Sequence, residues 1–205
     1  MLPLLSLIRR EFTAYFLSPI AYVVAAAFLF VVGWQFHETL SLMTESGPYG
    51  TEYPMQTLLG DKQFWLVFLF IPPVLTMRLL AEERGTGTLE LLMTAPIREW
   101  QIVAGKYIGC LLFYLVLWLP TIAYIPVITN MTWNPLGFGV DPWPVVTSYL
   151  GIILAGAMFL AIGLFVSSLV KSQLVAAIIS LVISLIFTAA AFARPAAAAV
   201  KFVCC

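Results

Sequence analysis

The chain has 205 residues, of which 62% are hydrophobic and only 10% are charged, and its formal net charge is zero. A soluble domain carries roughly 25% charged residues, so this composition excludes a protein whose surface is covered mainly by water. The balanced charge, without clustered Lys and Arg, gives no indication of a nucleic-acid partner. We therefore expect an all-α, polytopic transmembrane helical bundle, embedded in the lipid bilayer as a single domain over residues 1–205.

The first 17 residues predict an amphipathic helix that lies along the membrane surface. Arg9 and Arg10 fall on its polar arc, where we expect them to face lipid headgroups or a partner protein. Glu11 falls on the apolar side, so the pattern is imperfect. The apolar arc comprises Leu4, Leu5, Ile8, Phe12, Tyr15 and Phe16.

A secretory signal sequence is an alternative interpretation of the same N-terminal stretch. Arg9 and Arg10 would be its positively charged region, residues 16–24 its apolar region, and residues 25–27 its cleavage site. The apolar run continues through Phe36, which favours a membrane span instead.

Five stretches are long enough, or nearly so, to cross a bilayer, which requires about 20 apolar residues. The second is the weakest, because it needs Arg78 to place its guanidinium at the membrane interface. Prolines within the second and third stretches predict either static kinks or hinges. The five predicted spans are 16–36, 64–80, 107–128, 145–170 and 174–193.

Spans four and five are separated by only a few residues, so we expect an antiparallel hairpin. Small and hydroxyl residues recur at helical spacing in both spans, which favours close helix packing over a polar translocation path. These residues are Gly151/Ala155, Ala157/Ala161 and Gly163/Ser167 in span four, and Ser180, Ser184 and Thr188 in span five.

The distribution of basic residues predicts the orientation of the chain. With the N-terminus in the cytoplasm, seven basic residues lie inside and three outside, as the positive-inside rule requires. The three outside are Lys62, Arg194 and Lys201. The seven inside are Arg9, Arg10, Arg78, Arg84, Arg98, Lys106 and Lys171.

The residues that catalysis or metal binding would need are missing from the sequence. No phosphate-binding loop and no nucleophile or zinc-protease motif occurs, so we expect no enzyme activity and no cofactor of the chain's own. His37 beside Glu38 makes a poor metal site. The terminal pair Cys204 and Cys205 is either a lipidation signal or a chain end without such a role.

The predicted cytoplasmic loop, residues 81–106, carries the strongest functional signal. A polar break at residues 85–88 precedes a short predicted helix. Thr88 can cap this helix, and the negative charge of Glu90 is favourable in its first turn. Pro96 ends that helix and begins the next, whose helical spacing continues into span three. Taken alone, the loop could dock a second protein or merely return the chain to the membrane.

The loop also resembles a known family. Its motif, Glu-Glu-Arg-x-x-Gly-Thr-Leu-Glu-x-Leu-Leu-x-Thr-x-Pro from Glu82 to Pro96, is similar to that of ABC-2 type permeases, particularly the gliding-motility-associated group. Collinear similarity extends to residues 18–22, 68–78, 100–106 and 173–176. The matches cover most of residues 10–180.

The resemblance implies a six-span permease in the plasma membrane, namely a bacterial inner membrane, that acts as an exporter of amphipathic or polymeric substrates. Such a permease pairs with a second permease subunit, as a homodimer or heterodimer, and two cytoplasmic ATP-binding-cassette ATPase subunits bind the ATP. The sixth span is missing here, so we expect a chain that is truncated, incompletely represented or completed by another chain. The residues that match the coupling motif are Glu82, Glu83, Arg84, Gly87, Thr88 and Glu90.

Two other function classes stay open at this point. Because the sixth span is missing, a non-transporting membrane anchor or assembly subunit of a surface machine stays an alternative function. A secondary transporter or channel is disfavoured, because the predicted span interiors carry no charged residue and the chain shows no internal repeat.

Overall fold

A computed structural model of the chain describes residues 2–46, 62–77, 79–81, 99–126 and 142–203. These ranges contain helices and no strand, which confirms the expected all-α fold. A 3-10 helix, Leu119–Ala123, directly follows α5. The α-helices are α1 (Leu2–Leu17), α2 (Pro19–Ser46), α3 (Lys62–Phe68), α4 (Ile71–Thr76), α5 (Glu99–Trp118), α6 (Pro142–Leu169) and α7 (Gln173–Val203).

Four helical stretches are long and apolar enough to cross a membrane, and they match predicted spans one, three, four and five. Their outward surfaces are apolar: Leu174 is 73% exposed and Val23 is 69% exposed. Such side chains are stable on a surface only where lipid replaces water. The four stretches are Pro19–Ser41, Trp100–Pro126, Val145–Leu169 and Gln173–Ala191.

The second predicted span is not one continuous helix. It is divided into α3 and α4 by a turn at Leu69 and Phe70. Pro72 and Pro73 lie in the first turn of α4, where a missing backbone N–H costs nothing. The backbone of Phe70 is helical and the Leu69 N–H still donates to the carbonyl of Trp65 at 3.0 Å, so the helical hydrogen bonding is interrupted next to the two prolines, where the sequence predicted static kinks or hinges.

The broken segment lies at the centre of the bundle. Phe68 is 1% exposed, and its ring centroid lies 6.4 Å from that of Tyr114, 6.4 Å from that of Trp118 and 6.2 Å from that of Phe159. Aromatic rings at these separations attract one another beyond the area that they bury. Helices α3, α5 and α6 are thus held around one aromatic core.

The contacts between helices show which ends of the bundle coincide. Both α1 and α2 run in the same direction as α5, since Tyr15 stacks on Phe113 and Phe36 stacks on Tyr124. Helix α6 runs the opposite way.

We call one end of the bundle the loop end. It comprises α1, residues 79–81, the first turns of α5 and the turn at 170–172. Residues 82–98 connect two points of this end.

The small residues of α6 and α7 form packing faces, with some changes from the prediction. Gly163 is packed against Thr76 and Ser167 is fully buried, but Gly151 and Ala161 lie on the exposed side of α6. On α7, Ser180 and Ser184 are buried, and their hydroxyls donate to carbonyls of their own helix. This face of α7 packs against α4 and α6.

Candidate functional site

The six residues that match the coupling motif lie outside the described residues. They are Glu82, Glu83, Arg84, Gly87, Thr88 and Glu90. The structure does describe both attachment points of this loop, Ala81 before it and Glu99 after it. The candidate site is therefore built from the surface of the loop end to which the loop is attached.

Ser167 of α6 fixes the chain where it enters the loop. Its Oγ accepts hydrogen bonds from the backbone N–H of Leu80 at 3.2 Å and of Ala81 at 3.0 Å. Ser167 is fully buried, so no water competes for these bonds. A buried N–H without a partner costs about 1–3 kcal/mol. The entry to the loop is thereby tied to α6.

Helix α1 packs along the start of α5, more extensively than any other two described elements. Two glycines of α5 permit this contact. A Cβ at Gly105 would lie 2.6 Å from Cδ2 of Leu7, and a Cβ at Gly109 would lie 2.9 Å from Cβ of Glu11. Glycines four residues apart let two helix backbones approach closely. Helix α1 therefore lies against the part of α5 that follows the loop.

A buried ion pair joins the same two helices. Lys106 Nζ lies 3.2 Å from Glu11 Oε1, and the two side chains are only 3% and 13% exposed. A buried charge is costly unless it is paired and hydrogen-bonded. The pair explains why Glu11 falls on the apolar side of α1: that side faces Lys106 of α5.

The pair lies near the start of the third predicted span. The sequence places Lys106 on the cytoplasmic side, just before this span, and that location stays a prediction. Lys106 lies in the first turns of the apolar stretch Trp100–Pro126, in a side chain shielded by α1. The charge is tolerated there because Glu11 neutralises it.

Arg9 and Arg10 lie on the exposed side of α1, as their place on the polar arc predicted. The Thr13 hydroxyl, on the same side, donates to the carbonyl of Arg9 at 2.8 Å. The two arginines are therefore exposed, and their contact with headgroups or a partner protein stays a prediction. The contacts Leu7–Gly105 and Tyr15–Phe113 show that α1 packs lengthwise along α5, which corrects the expectation that the whole helix lies along the membrane surface.

Two tyrosines add further connections at the loop end. The Tyr15 hydroxyl of α1 donates to the carbonyl of Leu75 in α4 at 2.9 Å. The Tyr107 hydroxyl of α5 donates to the carbonyl of Ala157 in α6 at 3.0 Å. Together with Ser167 and the ion pair, these bonds connect α1, α4, α5 and α6. A displacement of one of these helices must break or move bonds to the others.

An open cleft of about 610 Å³ lies beside these connections. Its walls come from the second half of α1, the break between α1 and α2 at Ser18, and Leu79 just before the loop. Arg10, Glu11 and Lys106 lie at its polar side. No sequence pattern indicates this cleft, because its walls come from segments that are distant along the chain.

The remaining titratable candidates of the sequence analysis lie elsewhere. His37 and Glu38 are exposed on α2, near the end opposite the loop end. Among the residues that the structure describes, no three His, Cys, Asp or Glu side chains come together. Cys110 is a buried free thiol, and Cys204 and Cys205 lie outside the described residues.

Sequence reasoning missed several of the residues that build this end. Gly105 and Gly109 carry a detectable signal, since they form a Gly-x-x-x-Gly motif at the start of a span. Gly156 accommodates the ring of Tyr114, whose hydroxyl donates to the carbonyl of Ile152 at 3.0 Å. No local pattern distinguishes Gly156 from Gly151, which faces open space.

Comparison with known proteins identifies the family. No curated protein and no solved structure matches the chain significantly. A family model described as "ABC-2 family transporter protein" matches residues 13–198, which is most of the chain and includes the loop and its attachment points. The chain therefore belongs to the ABC-2 family of transporter proteins, whose members are membrane permease subunits of ABC transporters without an ATP-binding site of their own.

Proposed function

We propose that the chain is the permease of an exporter, driven by a separate cytoplasmic ATP-binding-cassette ATPase that docks on residues 82–98. In this proposal the N-terminus lies in the cytoplasm, a second permease subunit completes the transporter, and the gliding-motility-associated group is the nearest functional type. The seven basic residues of the predicted cytoplasmic side support this orientation.

The attachment of the loop to several helices is the observation that carries the proposal. At its entry, the N–H groups of Leu80 and Ala81 are bound to Ser167 of α6. At its exit, the chain continues directly into α5 from Glu99. Since α1 is joined to α5 through Glu11 and Lys106, a force on the loop would reach three helices.

The proposed movement has two parts. Closure of the ATPase subunits would displace the loop, and α5 and α1 would move together because their interface is close-packed and ion-paired. The break between α3 and α4 would absorb the change, since Leu69 and Phe70 lie outside regular helix. The aromatic contacts of Phe68 would then rearrange around the transport path.

The membrane-spanning stretches that the structure describes favour a bulky amphipathic or polymeric substrate over an ion. Two charged side chains lie within the described apolar stretches: Glu38 is exposed near one end of its stretch, and Lys106 is already paired with Glu11. Ion and proton relays use chains of ionisable residues at membrane depth. The described part of this bundle offers one neutralised pair instead.

Co-purification with the ATPase tests the docking assignment. The chain carrying Glu82→Ala and Glu83→Ala is expected to retain less ATPase than the natural chain, with lower transport-dependent ATP turnover. Glu38→Ala is the matched control, because this exposed carboxylate lies towards the opposite end of the bundle. Full retention and unaltered turnover in the double variant would refute docking through this motif.

A further inference from the structure

The cleft at the loop end has the size and shape of a ligand site. Its volume of about 610 Å³ falls within the range of about 300–1,000 Å³ that is typical of small-molecule pockets. It lies between the second half of α1 and Leu79, and it continues past Ser18 towards Ile20 of α2. Neither the loop motif nor the family assigns it a role.

The described side chains that line the cleft carry a net positive charge. Three charged side chains line it: Arg10, Glu11 and Lys106. Glu11 and Lys106 neutralise each other at 3.2 Å. Arg10 is exposed, and no other residue in the described ranges forms an ion pair with it. Among the described lining residues, Arg10 therefore contributes an exposed guanidinium, which favours an anionic ligand.

The other walls of the cleft are apolar and reach the lipid-facing surface. Leu17 is 80% exposed and Ile20 is 42% exposed, directly beside the cleft. An occupant would therefore have an anionic group near Arg10 and apolar chains along Leu17 and Ile20.

We propose that this cleft binds the headgroup of an anionic phospholipid, with Arg10 as the residue that contacts its phosphate. A planar guanidinium donates two parallel hydrogen bonds to phosphate oxygens. Basic pockets between transmembrane helices bind anionic headgroups by the same chemistry. The bound lipid would cover the junction of α1 and α2. This inference depends on the membrane location of the chain and is independent of how the loop drives transport.

Lipid retention by the purified full chain tests the proposal. The chain is reconstituted in nanodiscs of mixed phosphatidylglycerol and phosphatidylcholine, extracted into detergent, and the lipids that remain bound are measured by native mass spectrometry. The natural chain is expected to retain phosphatidylglycerol selectively. Arg10→Gln should lower this selectivity about fivefold, the effect of one basic residue near a membrane surface. Arg9→Gln is the matched control, since Arg9 is exposed on α1 but does not line the cleft.

A second pair of variants tests the cavity without changing charge. Ala14 lines the cleft, so Ala14→Trp should fill it and reduce the retained phosphatidylglycerol, whereas Thr13→Trp should not. Equal losses in Arg10→Gln and Arg9→Gln would overturn the proposal, because they would indicate diffuse attraction to the helix. Displacement of the lipid by soluble glycerol phosphate would also overturn it, because the apolar walls would then contribute nothing.

Discussion

Lys106 and Glu11 lie 3.2 Å apart across the interface of α5 and α1, although 95 positions separate them along the chain. The pair holds the N-terminal helix against the span that directly follows the loop. Because both side chains are largely buried, neither can lose its partner without leaving a charge in a poorly solvated environment. This relationship makes α1 part of the moving unit in the proposed mechanism.

Breaking this ion pair should destabilise the bundle. Glu11→Gln leaves the Lys106 ammonium buried, and loss of one partner of a buried pair costs about 3–5 kcal/mol. The double variant Glu11→Gln/Lys106→Met should recover most of that stability, because it removes both charges. Thermal unfolding in detergent measures both effects.

Lys171→Met is the control for this series, since Lys171 is exposed in the turn between α6 and α7. A Glu11→Gln variant as stable as Lys171→Met would show that the ion pair does not hold α1 in place.

The hydroxyl of Ser167 should be necessary for coupling the loop to α6. Ser167→Ala removes the acceptor of the Leu80 and Ala81 N–H groups and should cost about 1–3 kcal/mol. We expect transport to fall more than ATP hydrolysis in the reconstituted transporter, because the loop would move without α6. The measurement is the ratio of substrate transported to ATP hydrolysed.

The neighbouring serine provides the control for this prediction. Ser168 is only partly buried, and its hydroxyl donates to the carbonyl of Phe165 within α6. Ser168→Ala should therefore leave the transport ratio unchanged. Equal ratios in the two serine variants would contradict the assigned role of Ser167.

Two of the three glycines of α6, Gly156 and Gly151, should respond in opposite directions to the same substitution. A Cβ at Gly156 would collide with the ring of Tyr114, so Gly156→Ala should destabilise the bundle by about 1–3 kcal/mol. Gly151 faces open space, and Gly151→Ala should stabilise α6 by up to about 1 kcal/mol through helix propensity. Unfolding curves of both variants measure the two changes in stability. Similar shifts of the two curves would contradict the packing described for Tyr114.

The long spans could be predicted because each is an apolar run that must be helical in lipid. The division of the second span was harder to predict, because Pro72 and Pro73 are compatible with a kink, a hinge or a helix start. Their place in the first turn of α4 depends on the preceding turn at Leu69 and Phe70. Tertiary packing, rather than local pattern, selects among these outcomes.

The candidate site was only partly predictable from the sequence. The exposed position of Arg9 and Arg10 follows from helical periodicity alone. Glu11 appeared as a defect in the same pattern, because its partner Lys106 lies 95 positions away. Ser167 was recognised as a small packing residue, but its bonds to Leu80 and Ala81 depend on the arrangement of α4 and α6. Single-helix patterns carry no information about such contacts.

Determining which side of the membrane residues 82–98 face tests the proposed coupling to a cytoplasmic ATPase most directly. In a chain whose three native cysteines are replaced, Thr88→Cys and His37→Cys are labelled in turn with a membrane-impermeant maleimide. The account predicts that Thr88→Cys reacts only after the cells are permeabilised, and less so when the ATPase is bound, while His37→Cys reacts in intact cells. Labelling of Thr88→Cys in intact cells would contradict it, because no cytoplasmic ATPase could then reach the loop.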